Sequence, residues 1–183
     1  MTTITCDLVE LSDVNDARFG GKALGLAELS GRGFEVPAAF VIAHADPDAL
    51  PPGLEERYGE LVAAGAGAVA VRSSAAGEDG AESSFAGQYE TVLGVRSYDE
   101  LVAAVRRCVA STGLDRAVAY QAHSGLAEPL PTMHLVVQEM VEARAAGVVF
   151  TADPTSARRD LAVVDAVAGL GEALVDGSTA SDH

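Results

Sequence analysis

The chain has 183 residues, 49% of them hydrophobic and 21% charged, so it carries ample apolar material for a packed core and no compositional mark of disorder. A formal net charge of −15 excludes nucleic acid as a principal partner, because binding a phosphate backbone needs a basic face, whereas a single nucleotide needs only a few well-placed cations. The only cysteines, Cys6 and Cys108, have no metal-ligand spacing, the N-terminal residues MTTITCDLVELSD lack the form of a signal peptide, and the weakly polar run 62–71 is too short to span a bilayer. A reduced, cytoplasmic setting without a membrane segment is therefore expected.

Residues 4–11 read as a short strand and 13–16 as a polar turn. Phe19-Gly20-Gly21-Lys22 opens a helix with Ala23, Leu24, Leu26, Ala27 and Leu29 as its apolar face, and Gly31 and Gly33 end it. Pro37 introduces a strand over 38–43, and a proline-rich loop leads to a helix over 54–64 that Gly65 and Gly67 terminate. A buried strand begins at Val69, and 88–95 reads as its successor. Ser97 and Glu100 form a capping box for a helix running to about 111, with Leu101, Val102, Val105 and Val109 inward. A separate helix is predicted over 114–123. Strands are predicted over 133–139 and 146–151, joined through 140–144 as a hairpin or a tight connection, with a further strand over 161–166 and a short helical or turn segment opened by Gly169-Leu170-Gly171-Glu172. Adjacent strands after residue 130 make the fold class α+β.

The most informative stretch is VAVRSSAAGEDGAESSFAGQYETVLGV, residues 69–95. It delivers Arg72, Ser73 and Ser74 at a strand end beside a small-residue acidic loop. A guanidinium fork with two hydroxyls suits phosphate oxygens. The same residues equally suit a surface loop whose arginine pairs with Glu78, Asp79 or Glu82. Lys22, behind two glycines at a helix start, sits in a field that favours anions, or is simply a solvated lysine in a first turn. The P-loop motif is excluded, because Asp16 and Ala23 stand where it needs Gly and Ser or Thr. Gly65-Ala66-Gly67 precedes a strand, so it is no dinucleotide fingerprint. His44, His123, His134 and His183 are scattered, His134 reads as structural, and Asp153, Asp160 and Asp165 are spaced too loosely for a magnesium site.

Four stretches, GGKALGLAELSGRGFEVPAAFVI (20–42), the 69–95 stretch, VVQEMVEARAAGVVFTADP (136–154) and AVAGLGEALVDG (166–177), occur in an order that resembles the N-terminal nucleotide-binding domain of the phosphoenolpyruvate synthase, pyruvate phosphate dikinase and rifampicin phosphotransferase family. The resemblance covers nearly the whole chain. It implies an ATP-grasp-like fold in which two α+β lobes close over ATP, with residues 1–183 forming one partial ATP-binding domain: a first part, 1–68, bearing the GGK helix, and 69–183 bearing the nucleotide-binding strands. It also implies that Lys22 and Arg72 contact phosphate and act catalytically, that Gly87, Thr91 and Val92 pass close to the nucleotide, that Gln138, Glu139, Met140 and Val141 meet the adenine, and that Gly171 and Glu172 lie near the cleft.

Two departures from the family pattern shape the expectation. The stretch between the strands at 41 and 69 is short, so the first lobe is expected to be reduced. The family's magnesium-binding carboxylates, phosphohistidine domain and acceptor-binding domain are expected beyond His183, leaving the domain incomplete at its C-terminus. ATP is thus the expected ligand, and Mg2+ is implied by the family alone, with no metal ligand assigned here. Weak ATP binding and negligible turnover by this chain are expected. A separate chain carrying the phosphohistidine is a possible partner, and a non-catalytic or regulatory module, or one that no longer binds nucleotide, is the alternative.

Overall fold

The computed structural model describes residues 5–75, 90–122, 133–156 and 158–175, and the chain divides into two units, Met1–Met140 and Val141–His183. The first unit holds, in chain order, β1 (Asp7–Glu10), α1 (Gly21–Gly31), β2 (Ala39–Ala43), α2 (Leu54–Ala63), β3 (Val69–Ala75), β4 (Thr91–Val95), α3 (Tyr98–Ala122) and β5 (Met133–Glu139). Two short 3-10 turns, Leu11–Asp13 and Ala17–Phe19, lie between β1 and α1. The strands join in the order β1-β2-β5-β3-β4 with every pairing antiparallel. The second unit holds β6 (Ala145–Phe150), β7 (Val163–Ala168) and α4 (Glu172–Val175), and its two strands pair antiparallel. Mixed helices and antiparallel sheets are the α+β architecture expected from the sequence. No helix among the described residues is long and apolar enough to cross a membrane.

Strand alternation divides the first sheet between two cores. Phe40 and Ile42 of β2, Val69 and Val71 of β3, and Leu135 and Val137 of β5 face α2 and α3, where they meet Leu54, Tyr58, Leu61, Leu101, Val105 and Cys108. Ala39, Val41, Ala43 and Val136 face the opposite way, onto Val14, Phe19 and Ala23 at the start of α1. β2 lies between the two cores, and its five residues, Ala39–Ala43, are apolar and buried throughout. On α1, Ala23 is buried and Leu24, Leu26 and Ala27 pack against the smaller core, but Leu29 is 46% exposed, so the inward face is narrower than the pattern predicts.

The start of α3 lies where predicted. The Ser97 Oγ accepts the Glu100 amide at 3.2 Å as a capping box requires, while the Glu100 carboxylate accepts the Arg96 amide at 2.7 Å, one residue before the Ser97 amide that the motif would use. Two expectations are corrected. First, α3 runs unbroken to Ala122, with no stop after residue 111. The Ser111 hydroxyl donates to the Cys108 carbonyl at 2.8 Å, a bond made inside the helix, and Gly113 lowers helix propensity by only about 1 kcal/mol. Second, β5 and β6 form no hairpin. β2 and β3 occupy both edges of β5, so β6 finds its partner in β7.

Gly147 on β6 faces Ala166, and a Cβ at 147 would stand 2.6 Å from the Asp165 carbonyl oxygen. The obstructing atom is backbone, so it yields only if the strands separate. Gly147→Ala is expected to destabilise the β6–β7 pair by about 1–3 kcal/mol. Amide exchange across 145–150 and 163–168 checks this, and unchanged protection would contradict it.

Candidate functional site

The site is built around the corner that turns into α1. Gly20 has φ 86 and ψ 158, a backbone conformation that favours glycine, and it has no side chain with which to cap the helix it precedes. Ser74, from β3, supplies that bond. Its hydroxyl accepts the Ala23 amide at 3.1 Å and donates to the Phe19 carbonyl at 2.8 Å, and the residue is fully buried. Beside it across the sheet, His134 meets the Phe19 ring edge-on at 5.4 Å between centroids.

Arg72 stands two residues before Ser74 on the same face of β3, about 6.6 Å along the strand. Its sheet neighbours are Thr91 on β4 and Val136 on β5, while Ala70 faces Gln138. The structure thus brings Arg72, Thr91 and Gln138 to one face of the sheet, the face on which Lys22 begins α1. Lys22 and Arg72 are half-buried, Thr91 is exposed and Gln138 is buried. Arg57, Arg107 and Arg158 each meet a carboxylate, but among the described residues none lies within ion-pair distance of Arg72. Glu78, Asp79, Glu82 and Gly87 lie outside the described residues.

The serines differ from the reading of two hydroxyls free for an anion. Ser74 is engaged at both ends of the α1 corner, and the Ser73 hydroxyl donates to the Glu90 carbonyl at 3.4 Å. Buried hydroxyls in a packed sheet satisfy themselves within the fold. Sequence reasoning missed the clamp made by Ser74, because nothing in an RSS triplet distinguishes a ligand-facing hydroxyl from one that caps a distant helix.

Alternation places the side chains of Val92 and Glu139 on the α3 face, opposite Arg72; Val92 packs against the larger core. The Glu139 amide donates to the Ala38 carbonyl at 2.8 Å, and the Met140 amide to that of Ala68 at 2.9 Å. The Met140 Sδ accepts the Gly94 amide at 2.9 Å, tying the end of β5 to β4. In the second unit, Val141 is 59% exposed and its carbonyl accepts the Ala143 amide at 2.9 Å. There Gly171 is half-buried, its carbonyl accepting the Leu174 amide at 3.2 Å, and Glu172 is exposed at the start of α4.

Among the described residues no group of three or more His, Cys, Asp or Glu side chains gathers to hold a metal ion. Cys108 is no nucleophile: burial, with Glu90 nearby, pushes its thiol up to about 11, and its Sγ donates to the Val71 and Glu90 carbonyls.

Burial, then His44 and Arg18 nearby, pull His134 down to about 4; the Arg18 carbonyl and Asp16 oppose this. Its Nδ1 accepts the His44 amide at 3.3 Å, and that bond needs the neutral ring. As pH falls from about 6.5 to about 4, the unfolded chain takes up a proton that the folded chain refuses, so folding loses roughly 3 kcal/mol over that window. Chemical denaturation at pH 7 and pH 4.5 is expected to show this loss in the wild type and a smaller one in His134→Gln. Equal losses would contradict it.

Comparison with known proteins identifies the family of the chain. The family described as pyruvate phosphate dikinase, AMP/ATP-binding domain, matches residues 44–183; Arg72, Thr91 and Gln138 lie inside the match and Lys22 precedes it. A rifampicin phosphotransferase from a Streptomyces species is 50% identical over 110 residues, 60% of this chain and 13% of its own length. The phosphoenolpyruvate synthase of Pyrococcus furiosus is 44% identical over 115 residues, 63% of this chain and 14% of its own length. A prodigiosin synthesizing transferase from Serratia marcescens is 37% identical over 207 residues, 96% of this chain and 23% of its own length. That last match is longer than the chain itself, so the relative carries residues with no counterpart here. The chain spans less than a quarter of the length of each of these relatives. It belongs to the pyruvate phosphate dikinase AMP/ATP-binding domain family.

Proposed function

We propose that this chain binds ATP as the nucleotide-binding part of a dikinase-type phosphotransferase. The observation that carries the reading is the placement of Lys22 and Arg72 on one face of the first sheet, with no carboxylate beside Arg72 among the described residues. Their cations would hold the phosphate chain by position and electrostatics, as phosphoryl-transfer sites do. Thr91 and Gln138 share that face. Val92 and Glu139 would act through their backbone, since their side chains turn away. Gly87 and Glu172 belong to the proposal on the resemblance alone. Because the Glu139 and Met140 amides are engaged inside the fold, the adenine edge would be met by carbonyls of 138–141 or by the Val141 amide. An ATP-grasp-like fold with a shortened first lobe is in keeping with the additional residues of the Serratia relative.

In the complete reaction, the β-phosphoryl of ATP would pass to a histidine, with AMP leaving as the α–β bond breaks and the γ-phosphoryl going to water or phosphate as the β–γ bond breaks, and then to pyruvate or an antibiotic hydroxyl. The length of the relatives favours a second element of the proposal: the phosphohistidine and acceptor sites belong to polypeptide outside these residues, in the same protein or in a partner chain. Thermal unfolding with and without millimolar MgATP tests the nucleotide reading. Stabilisation in the wild type and its loss in Lys22→Ala and Arg72→Ala are expected. No stabilisation in the wild type would overturn it.

A further inference from the structure

We infer that Ser74 is a positioning residue that fixes Lys22 relative to Arg72, an inference whose functional half rests on the nucleotide reading above. One hydroxyl binds both ends of the α1 corner: the Phe19 carbonyl on one side and the Ala23 amide on the other. Only Gly20, Gly21 and Lys22 lie between the anchored groups. The Ala23 amide is one of the helix-start donors that lack an intrahelical acceptor, and Gly20 cannot accept it. Ser74 therefore caps α1 from a strand 51 residues away in sequence from Ala23. The same strand carries Arg72 two residues earlier on the same face, so the hydroxyl sets how the Lys22 backbone sits against Arg72. Burial strengthens the clamp, since no water competes for either bond. His134, on the neighbouring strand, backs the corner by meeting the Phe19 ring edge-on.

Ser74→Ala removes the hydroxyl with little change in volume. Two measurements test it. Amide exchange at Ala23 is expected to accelerate about fivefold in Ser74→Ala, the size of a lost helix cap, while the Leu101 amide at the start of α3 keeps its rate. MgATP affinity is expected to fall about fivefold to tenfold in Ser74→Ala, and the same substitution is expected to change little in a Lys22→Ala background, because its effect passes through Lys22. A purely structural role would weaken binding equally in both backgrounds, and that result would overturn the inference. Unchanged exchange at Ala23 would overturn it as well. Absence of MgATP binding in the wild type would instead refute the nucleotide reading, and with it the role of Ser74 toward Lys22, while exchange at Ala23 reports the clamp independently.

Discussion

Arg72→Ala is expected to weaken MgATP binding by about tenfold to a hundredfold without lowering the stability of the ligand-free protein. The first half follows from charge-assisted hydrogen bonds to phosphate, each contributing about 1.5–3 kcal/mol. The second half follows from what surrounds the residue. Arg72 is half-buried and has no carboxylate partner among the described residues, so truncation breaks no ion pair with any of them. Arg57 is the internal contrast. Its Nε and Nη2 grip the Glu10 carboxylate at 2.7 Å each, its Nη1 reaches Glu60 at 2.9 Å, and its guanidinium lies 5.5 Å from the Phe40 ring centroid. Arg57→Ala should therefore lower stability and leave nucleotide affinity nearly unchanged. Arg72→Lys should fall between wild type and alanine in affinity, since it keeps the charge and loses the fork. A large stability loss in Arg72→Ala, with affinity unchanged, would make Arg72 a structural residue.

Phe40→Ala is expected to cost about 3–5 kcal/mol, a large part of the stability of a domain of this size. Phe40 is fully buried on β2, is paired with Val137 of β5 and Glu10 of β1, and packs into the core shared by α2 and α3. Neighbouring strands fix the backbone on both sides, so the cavity cannot close by a shift of β2. Urea unfolding followed by circular dichroism measures the loss, and Phe40→Leu should retain most of the stability. A loss below about 1 kcal/mol for the alanine variant would show that the core reorganises around the hole.

Residue pattern alone revealed most elements of the first unit, because α1 and α2 have clear starts and stops and because β2 and the apolar runs opening β3 and filling β5 stand out, whereas the end of α3 was misplaced. The capping box at Ser97 and Glu100 is a local signal, contained within a single turn. Pairing was less legible. The 140–144 stretch reads as a tight connection between adjacent strands, yet β5 already lies between β2 and β3, a fact set by residues far away in sequence. The site shows the same limit. Arg72 and Lys22 stand out as cations after an apolar run and at a helix start, which is local information, but β3 runs on to Ala75, so Arg72 lies within the strand and not at its end. The Ser74 clamp is a contact between segments 51 and 55 residues apart, and its hydroxyl looks identical in sequence to one that would face a ligand. The sides on which Val92 and Glu139 point likewise emerge only from strand register.

If Lys22 and Arg72 hold the phosphates of ATP as proposed, MgATP must perturb the residues around them. Titrating MgATP into the isotope-labelled wild-type chain, with residue-resolved amide NMR shifts as the readout, tests it most directly. The expected result is weak, saturable binding with a dissociation constant of about 0.1–1 mM, equivalent to about 4–5.5 kcal/mol, with the shifts centred on Lys22, Arg72, Thr91 and Gln138 and lost in a Lys22→Ala, Arg72→Ala double variant. Saturable shifts that avoid these residues, or that persist unchanged in the double variant, would contradict it.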